Sequence, residues 1–169
     1  MSLSLVPNTN DFSQQSLFRM TFDKLPNVVY MMQQVSIPAV TMGTVTEYTP
    51  ILDIPRAGDK LQFEPLTLNF IIQENLTNYI EIFNWMVGLG KPQSTDQHKQ
   101  FLAENNNNRY SDATLTILTN KYNPLMNLKF VDCWPSNIGA LNYDSTITES
   151  TPVTTSVTIN YAYFTVEAV

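Results

Sequence analysis

The sequence predicts a mainly β fold with one substantial α-helix. Three observations indicate this class. Apolar and polar residues alternate with a period of two over most of the chain, as in strands that bury one face. Residues 75–90 instead follow the 3.6-residue period of an amphipathic helix. The length of 169 residues suffices for an ordinary core, so we expect a single domain over residues 1–169.

Alternating runs predict the strands in order along the chain. In the last run, Val157 and Ile159 alternate with serine, threonine and asparagine, which is the clearest strand pattern in the sequence. Pro65 indicates an irregular or edge start for the fourth run, because proline cannot donate a ladder hydrogen bond. The runs cover residues 17–23, 27–37, 43–52, 61–72, 113–119, 126–132 and 153–163.

The helix is predicted from its apolar spacing. Asn75 is a suitable N-cap, and Gly88, Gly90 and Pro92 form a stop signal. We expect the apolar stripe to cover one face or opening of the β core, with Trp85 lying off the stripe. The stripe consists of Leu76, Tyr79, Ile80, Phe83, Met86 and Val87.

Two connections stand out between the predicted elements. Residues 91–112 are polar, include four consecutive asparagines, and are predicted to form a surface loop. Residues 48–61 mix apolar residues with turn formers, which predicts a hairpin whose turn is flanked by Asp53 and Asp59. A projecting hairpin of this kind needs a partner to cover it, whereas a hairpin folded back on its own core does not, and the pattern leaves both open. Residues 1–15 precede the alternation and are predicted to be a flexible arm.

Charge and composition exclude several classes of protein. Charged residues make up 14% of the chain, against roughly 25% in an average domain. The formal charge of −6 argues against a basic surface that holds nucleic acid or an anionic membrane. Cys133 is the single cysteine, so one chain cannot form a disulfide or a multi-cysteine zinc site. No apolar run approaches the roughly 20 residues of a membrane span, and residues 1–7 lack signal-peptide features, so we expect a protein made in the cytoplasm without a membrane segment.

Catalytic and cofactor-binding patterns are not found in the sequence. His98, the one histidine, lies in the polar segment 91–112 and is expected to be solvated. The carboxylates of Asp53, Asp59, Asp144 and Glu149 flank predicted turns, where such residues usually serve as turn and cap formers. No glycine-rich phosphate loop, nucleophile elbow or zinc-binding histidine motif occurs. The residues alone leave open a self-assembling structural subunit and a β-sandwich module that binds glycans; an enzyme, a metal and a cofactor are not expected.

The order of several motifs resembles the tail tube proteins of contractile-tailed bacteriophages. The Gly-Asp turn, the helix with Phe-x-Trp and the Trp-Pro-x-Asn-x-Gly motif are its specific parts, and the resemblance extends from Ser16 to Phe164. The four-asparagine run departs from it. The matching segments are LFRMTF (17–22), VSIPA (35–39), AGDK (57–60), LTLNFI (66–71), FNW (83–85), CWPSNIG (133–139) and TINYAY (158–163).

The resemblance implies the main tube subunit of a virion tail, assembled in the host cytoplasm. Each subunit is then expected to be a small β-barrel or two packed antiparallel sheets, with one flanking α-helix and a long projecting hairpin. Six subunits form a ring, and rings stack into a hollow tube inside a contractile sheath. DNA passes through the lumen without specific binding, and the protein partners are the sheath, baseplate and tail-terminator proteins. A neutral or acidic inner wall suits this role, because phosphates adhere to lysine and arginine and not to uncharged side chains.

The resemblance also implies which residues form each surface. The hairpin of residues 48–61, with the N-terminal arm, contacts the next ring through Tyr48, Pro50, Ile51, Leu52, Ile54, Pro55, Gly58 and Asp59. Polar side chains of two strands line the lumen, namely Thr67, Asn69, Thr154, Ser156, Thr158 and Asn160. The helix faces the sheath with Leu76, Tyr79, Ile80, Phe83 and Trp85.

Two related functions fit the same resemblance. A baseplate tube-initiator paralogue has the same fold, but such proteins are often longer and carry extra domains. The tube of a contractile injection or secretion system moves protein instead of DNA. The glycan-binding module is the more remote alternative, and it predicts exposed aromatic residues along one groove.

Overall fold

The structure, a computed structural model, describes residues 13–105, 108–146, 148 and 151–169. Strands and helices follow one another along these residues. The elements are β1 (Phe18–Phe22), α1 (Pro26–Tyr30), β2 (Met32–Ser36), β3 (Val40–Tyr48), β4 (Asp53–Phe63), β5 (Leu66–Ile71), α2 (Thr77–Gly90), α3 (Thr95–Glu104), β6 (Ser111–Leu118), β7 (Pro124–Ile138), β8 (Thr154–Asn160) and β9 (Tyr163–Ala168).

Seven strands form one antiparallel path that divides at β7. The path runs β1–β6–β7–β8–β5–β2, and β9 also pairs with β7. The first part of β7 pairs with β6 and β9, whereas its last part pairs with β8. Between the two parts, Asp132 has a φ of 56°, a left-handed conformation that aspartate tolerates better than most residues. We call β1, β6, β7 and β9 the first half-sheet, and β7, β8, β5 and β2 the second half-sheet.

The mainly β prediction is confirmed, but the sheet does not close into a barrel. β1 and β2 end the path, and within the described residues they do not pair with each other. β3 and β4 form a separate two-stranded hairpin. Two antiparallel half-sheets that share a strand are therefore the better description.

The core lies between the half-sheets and under the helices. The period-two pattern of β5 and β8 buries one side of each strand completely, as at Leu68, Phe70 and Ile159. The first half-sheet contributes Leu115 and Phe130. The helices complete the cluster with Leu25, Val28, Ile82, Trp85 and Phe101.

Helix α2 buries a different face from the predicted one. Of the predicted stripe, Ile80 and Phe83 are 46% and 49% exposed, while Trp85, predicted to lie off the stripe, is 3% exposed. Both sides of α2 carry apolar residues, so the period indicates a helix without showing which side meets the core. The indole Nε1 of Trp85 donates to the carbonyl oxygen of Arg109 at 3.0 Å, which satisfies its polar atom in the core. The buried face consists of Asn78, Ile82, Trp85 and Gly88.

The prediction of one helix is wrong, because α1 occupies part of the run predicted as extended over residues 27–37. Pro26 lies in the first turn of α1, where a backbone N–H has no partner within the helix, so proline loses no hydrogen bond there. The amide Nδ2 of Asn27 donates to Glu81 Oε1 at 3.0 Å and joins α1 to α2. The apolar alternation over 27–37 therefore belongs to a short helix followed by β2.

The prediction of a surface loop over residues 91–112 is also wrong, since α3 lies within it. Ser94 and Gln97 form a capping box that starts the helix. His98 is 7% exposed rather than solvated, and its Nδ1 lies 2.7 Å from the carbonyl oxygen of Gly88. A Cβ on Gly88 would lie 2.4 Å from Cγ of Phe101, so α2 and α3 approach closely where glycine leaves room.

The hairpin is longer than predicted, and its turn lies elsewhere. The turn comprises residues 49–52, between β3 and β4, whereas Gly58 and Asp59 lie inside β4 and not at a turn. Pro55 and Gly58 suggested a turn, but both residues lie within β4. They are tolerated there because β4 pairs with β3 and with no further described strand. Of the predicted N-terminal arm, residues 1–12 lie outside the described residues, as do Glu149 and residues 106–107 of the asparagine run.

Candidate functional site

One side of the second half-sheet is uncharged and mostly polar, with Ile71 as its apolar member in β5. The six predicted lumen residues all lie on this side: Thr67 pairs with Thr158, and Asn69 with Ser156. Gln34, Ser36 and Asn137 join them through the pairing of β2 and β7. The sequence did not indicate Gln34, Ser36 and Asn137, because the sequence of a strand does not show which residues of a neighbouring strand lie opposite it. We call this surface the neutral face; it comprises Gln34, Ser36, Thr67, Asn69, Asn137, Thr154, Ser156, Thr158 and Asn160.

The neutral face has no charged side chain in the strand segments that form it, residues 32–36, 66–71, 133–138 and 154–160. Its polar groups bond to one another, as where Asn69 Nδ2 donates to Gln34 Oε1 at 3.1 Å. The first half-sheet differs, because Lys129 and Glu167 form an ion pair across β7 and β9 at 2.7 Å. A polyanion moving along the neutral face would therefore meet no basic group on it.

The hairpin projects from the half-sheets with its apolar residues uncovered. Tyr48 is 80% exposed and Ile51 is 97% exposed, and Leu52 is 67% exposed. Every residue of β3 is exposed. A two-stranded hairpin is marginally stable by itself, and an apolar surface of this extent usually marks an interaction site. The hairpin is thus the projecting kind, not one folded back on its own core.

Polar contacts hold the outer part of the hairpin in shape. The hydroxyl of Thr49 bonds to Leu52 across the turn, and the N–H of Leu52 donates to Thr49 Oγ1 at 3.1 Å. Arg56 Nε donates to Glu47 Oε2 at 2.7 Å and ties β3 to β4. Both pairs are exposed, so they order the hairpin without burying it.

An aromatic group anchors the base of the hairpin to β9 of the first half-sheet and to the connection between β8 and β9. The ring of Phe63 lies 5.4 Å from that of Phe164 in an edge-to-face arrangement and 6.4 Å from that of Tyr161. The hydroxyl of Tyr161 donates to the carbonyl oxygen of Glu64 at 2.7 Å. Burial, with smaller effects from Cys133 and Glu64, raises the pKa of Tyr161 to about 12, so the hydroxyl stays protonated and keeps donating. Sequence reasoning missed this anchor, which joins residues about 100 positions apart.

Gly43 and Gly58 meet where the register of the hairpin shifts. Met42 pairs with Leu61 but Thr44 pairs with Ala57, so β4 has extra residues at this point and forms a bulge. A Cβ on Gly58 would lie 2.6 Å from the carbonyl oxygen of Gly43, closer than backbone and side chain can approach. Gly58 therefore permits a bulge within the hairpin, in place of the predicted turn.

Helix α2 presents a second apolar surface to the outside. Ile80 and Phe83 are about half exposed, and Tyr79 lies beside them half-buried. Trp85 was predicted to face a partner on this side, but its burial in the core prevents that. Leu76, also predicted here, is half-buried and precedes the helix with a φ of 55°.

The described residues offer no cluster for binding a metal ion, and the Cys133 thiol is buried. They contain no cluster of three or more histidine, cysteine, aspartate or glutamate side chains that could hold a metal ion. Burial, together with the nearby Asp112 and Asp132, raises the pKa of the Cys133 thiol to about 12, which keeps it protonated and unreactive. Among the helices that the structure describes, none is long and apolar enough to span a membrane.

Comparison with known proteins gives one match in sequence and several in structure. No profile of a known protein family matches the chain. The tail tube terminator protein of Enterobacteria phage T4 is 27% identical over 139 residues, which cover 80% of this chain and 76% of that protein.

The structural matches have low sequence identity and show the fold. The tube-terminating cap of the anti-feeding prophage has a TM-score of 0.68 at 12% identity, with each chain covered completely. One chain of the sheath–tube complex of an extracellular contractile injection system has a TM-score of 0.62 at 14% identity, with 93% of this chain and 92% of that one covered. The chain therefore has the fold that subunits of contractile tubes and of their caps share.

These matches agree with the predicted resemblance at the level of contractile tube components. They do not support the main tube subunit in particular, since the sequence match is to a terminator. The positions assigned to lumen, ring contact and sheath contact stay predictions.

Proposed function

We propose that this chain is the subunit of a terminal ring on a contractile tail tube, through which DNA passes without being held. The observation that carries the proposal is the sequence match to a tail tube terminator over 80% of the chain. The protein is structural and not an enzyme, as predicted, because the proteins it resembles are tube and cap components.

The neutral face supports the role of a bore. In a hexameric ring, the second half-sheet of each subunit would turn this face inward, and its edges would continue into the sheets of the neighbours. Lysine and arginine on that wall would hold phosphates, and the four strand segments have neither. The low charge of the chain, 14%, fits a subunit whose surface is largely covered, because buried charges are costly to desolvate.

Two further surfaces support contacts to other rings and to the sheath. The apolar tip of the hairpin, Tyr48, Ile51 and Leu52, would reach the adjoining ring together with the N-terminal arm. The exposed side of α2, with Ile80 and Phe83, would face the sheath. The protein would then reside in the virion tail, with tube, sheath and baseplate proteins as its partners.

The main tube subunit is the second candidate, favoured by the whole-fold likeness to a chain of the sheath–tube complex of a contractile injection system. A baseplate tube initiator and the tube of an injection or secretion system stay alternatives. A glycan-binding module is less well supported. The most exposed tyrosines are spread along the chain: Tyr30 ends α1, Tyr48 ends β3, Tyr122 lies between β6 and β7, and Tyr143 follows β7.

The bore assignment is tested by placing positive charge on the neutral face. We expect the double variant Asn69→Lys, Thr158→Lys to bind double-stranded DNA at least about tenfold more tightly than the unmodified ring at low salt. The reason is that each ring would then carry lysines on the wall that DNA passes. Fluorescence anisotropy of labelled DNA over a salt series measures the effect, and binding should fall steeply as salt rises.

The matched control puts the same charge on the outside. Asn84→Lys, Gln100→Lys adds two lysines to exposed positions of α2 and α3. We expect little gain in binding from this variant for DNA short enough to enter the bore. Equal gains in both variants, or tight DNA binding by the unmodified protein, would contradict the bore assignment.

A further inference from the structure

Glu81 of α2 carries a carboxyl group that is held inside the subunit without a cation. Its Oε1 accepts a hydrogen bond from Asn27 Nδ2 at 3.0 Å, while its Oε2 is shielded from solvent and accepts no hydrogen bond of good geometry. None of the ion pairs among the described residues includes Glu81. A carboxylate in this setting has lost its water without gaining a charged partner, which disfavours the ionised form.

The carboxyl group borders a cleft of about 460 Å³ between α2 and α3. Two other charged groups line this cleft, Lys24 from the segment before α1 and Glu104 from α3. Lys24 is engaged elsewhere, because its Nζ donates to the carbonyl oxygen of Asn108 at 2.6 Å and lies 5.1 Å from the ring centre of Phe101. It therefore does not neutralise Glu81.

The other titratable groups of the elements around α2 do not line the cleft. Tyr30, the titratable residue of α1, is 84% exposed, and β7, which also packs against α2, contributes no lining residue. On α3, His98 Nδ1 lies 2.7 Å from the carbonyl oxygen of Gly88, and Asp96 pairs with Lys99 on the exposed side. Within the described part of the chain, Glu81 thus depends on the uncharged side chain of Asn27 for its polar contact.

The hydrogen bond between Asn27 and Glu81 joins α1 to α2. Helix α1 has five residues, too few to be stable alone, so its place depends on what it packs against. Leu25 and Val28 anchor it in the core, and the bond to Glu81 holds its outer side. We call α1 closed when this bond is made and open when α1 has moved away and Glu81 is in water.

The protonation of Glu81 differs between the closed and the open form. Burial raises the pKa of the Glu81 carboxyl above its ordinary value of 4.5, and hydrogen bonds from Asn27 and from the N–H of Val28 oppose the rise without cancelling it. A carboxyl whose pKa is higher in the closed form binds its proton more tightly there, so acid favours the closed form. The effect begins as the pH falls through the raised pKa and is complete below 4.5.

We propose that Asn27 and Glu81 form a pH-dependent latch that holds α1 against α2 and holds it more tightly in acid. The neutral carboxyl keeps an oxygen to accept from Asn27 and no longer buries a charge. Because α1 leads directly into β2, whose outer edge has no partner strand among the described residues, the latch also steadies the start of that edge strand. The inference goes beyond the proposed function and does not depend on it.

Amide hydrogen exchange at two pH values tests the latch. The probe is the N–H of Val29, which donates to the carbonyl oxygen of Leu25 at the start of α1. We expect its protection factor, which corrects for the pH dependence of exchange in an unfolded chain, to be at least about twofold higher at about pH 5 than at about pH 7.5. It should also be lower than that of Val157 in the central strand β8, because α1 opens while the sheet stays folded.

Two matched variants decide whether Glu81 is the group responsible. Glu81→Gln keeps the shape but cannot titrate, so the protection of Val29 should no longer rise in acid. Glu104→Gln removes the other carboxylate of the cleft, which is exposed, and should keep the rise. The latch is overturned if the unmodified chain shows no rise, if the rise persists in Glu81→Gln or is lost in Glu104→Gln, or if Val29 and Val157 are equally protected. Circular dichroism shows that each variant remains folded.

Discussion

Replacing Ile51 and Leu52 with aspartate should abolish contacts between rings while leaving the subunit folded. Both side chains are exposed at the hairpin tip and contact little within the subunit, so the free energy of unfolding should change by less than about 0.5 kcal/mol for each. In a contact with another ring, each would place a charge in an apolar site. We expect association between rings to weaken by at least about 100-fold. Light scattering over a concentration series measures association, and urea unfolding measures stability.

The control adds the same charge at another exposed apolar site. Tyr122→Asp, Leu125→Asp changes residues that are 73% and 51% exposed, one in the turn before β7 and one at the start of β7, and neither belongs to the hairpin. This variant should associate like the unmodified chain. Normal association of the hairpin variant, or an equal loss in both variants, would remove the hairpin from the contact between rings.

Replacing Trp85 with alanine should cost about 3–5 kcal/mol of the free energy of unfolding. The side chain is buried, its Nε1 donates to the Arg109 carbonyl, and Nζ of Lys24 lies 5.5 Å from the ring centre. Its removal would leave a cavity and an unpaired carbonyl oxygen under α2. Urea unfolding, followed by far-ultraviolet circular dichroism, measures the loss.

Phe83→Ala is the comparison on the same helix. Its ring is half exposed, so the loss should stay near 1 kcal/mol or below. The 3.6-residue spacing of the apolar residues led to the opposite expectation, with Phe83 on the stripe that covers the core and Trp85 off that stripe. A larger loss for Phe83→Ala than for Trp85→Ala would show that α2 packs through its predicted stripe after all.

The strands of the core could be predicted because the alternation of apolar and polar residues lies within each strand's own sequence. The alternation in β5 and β8 places Leu68 and Phe70 inside and Thr67 and Asn69 outside, which is how the structure has them. The same rule brought the six candidate lumen residues to one side of a sheet. Their neighbours Gln34 and Asn137 could not be identified, because register depends on contacts between distant segments.

The helices and the hairpin turn were predicted less well, and the reasons are physical. Helix α2 is apolar on two sides, so the 3.6-residue period indicates a helix but does not show which side faces the core. α3 is polar on most of its surface, and its capping box at Ser94 and Gln97 was the signal that could have found it. In the hairpin, Gly58 was taken as a turn residue, but it lies at a bulge inside β4. The hairpin turns at residues 49–52, where the Thr49 hydroxyl accepts a hydrogen bond from the N–H of Leu52.

Electron microscopy of the purified, concentrated chain is the most direct measurement of whether it forms a ring around a bore. We expect closed hexameric rings with a central opening, single or in short stacks. Long continuous tubes would retain the bore but favour the main tube subunit over a terminal ring. Particles that are monomeric at every concentration, with no rings, would contradict the ring function altogether.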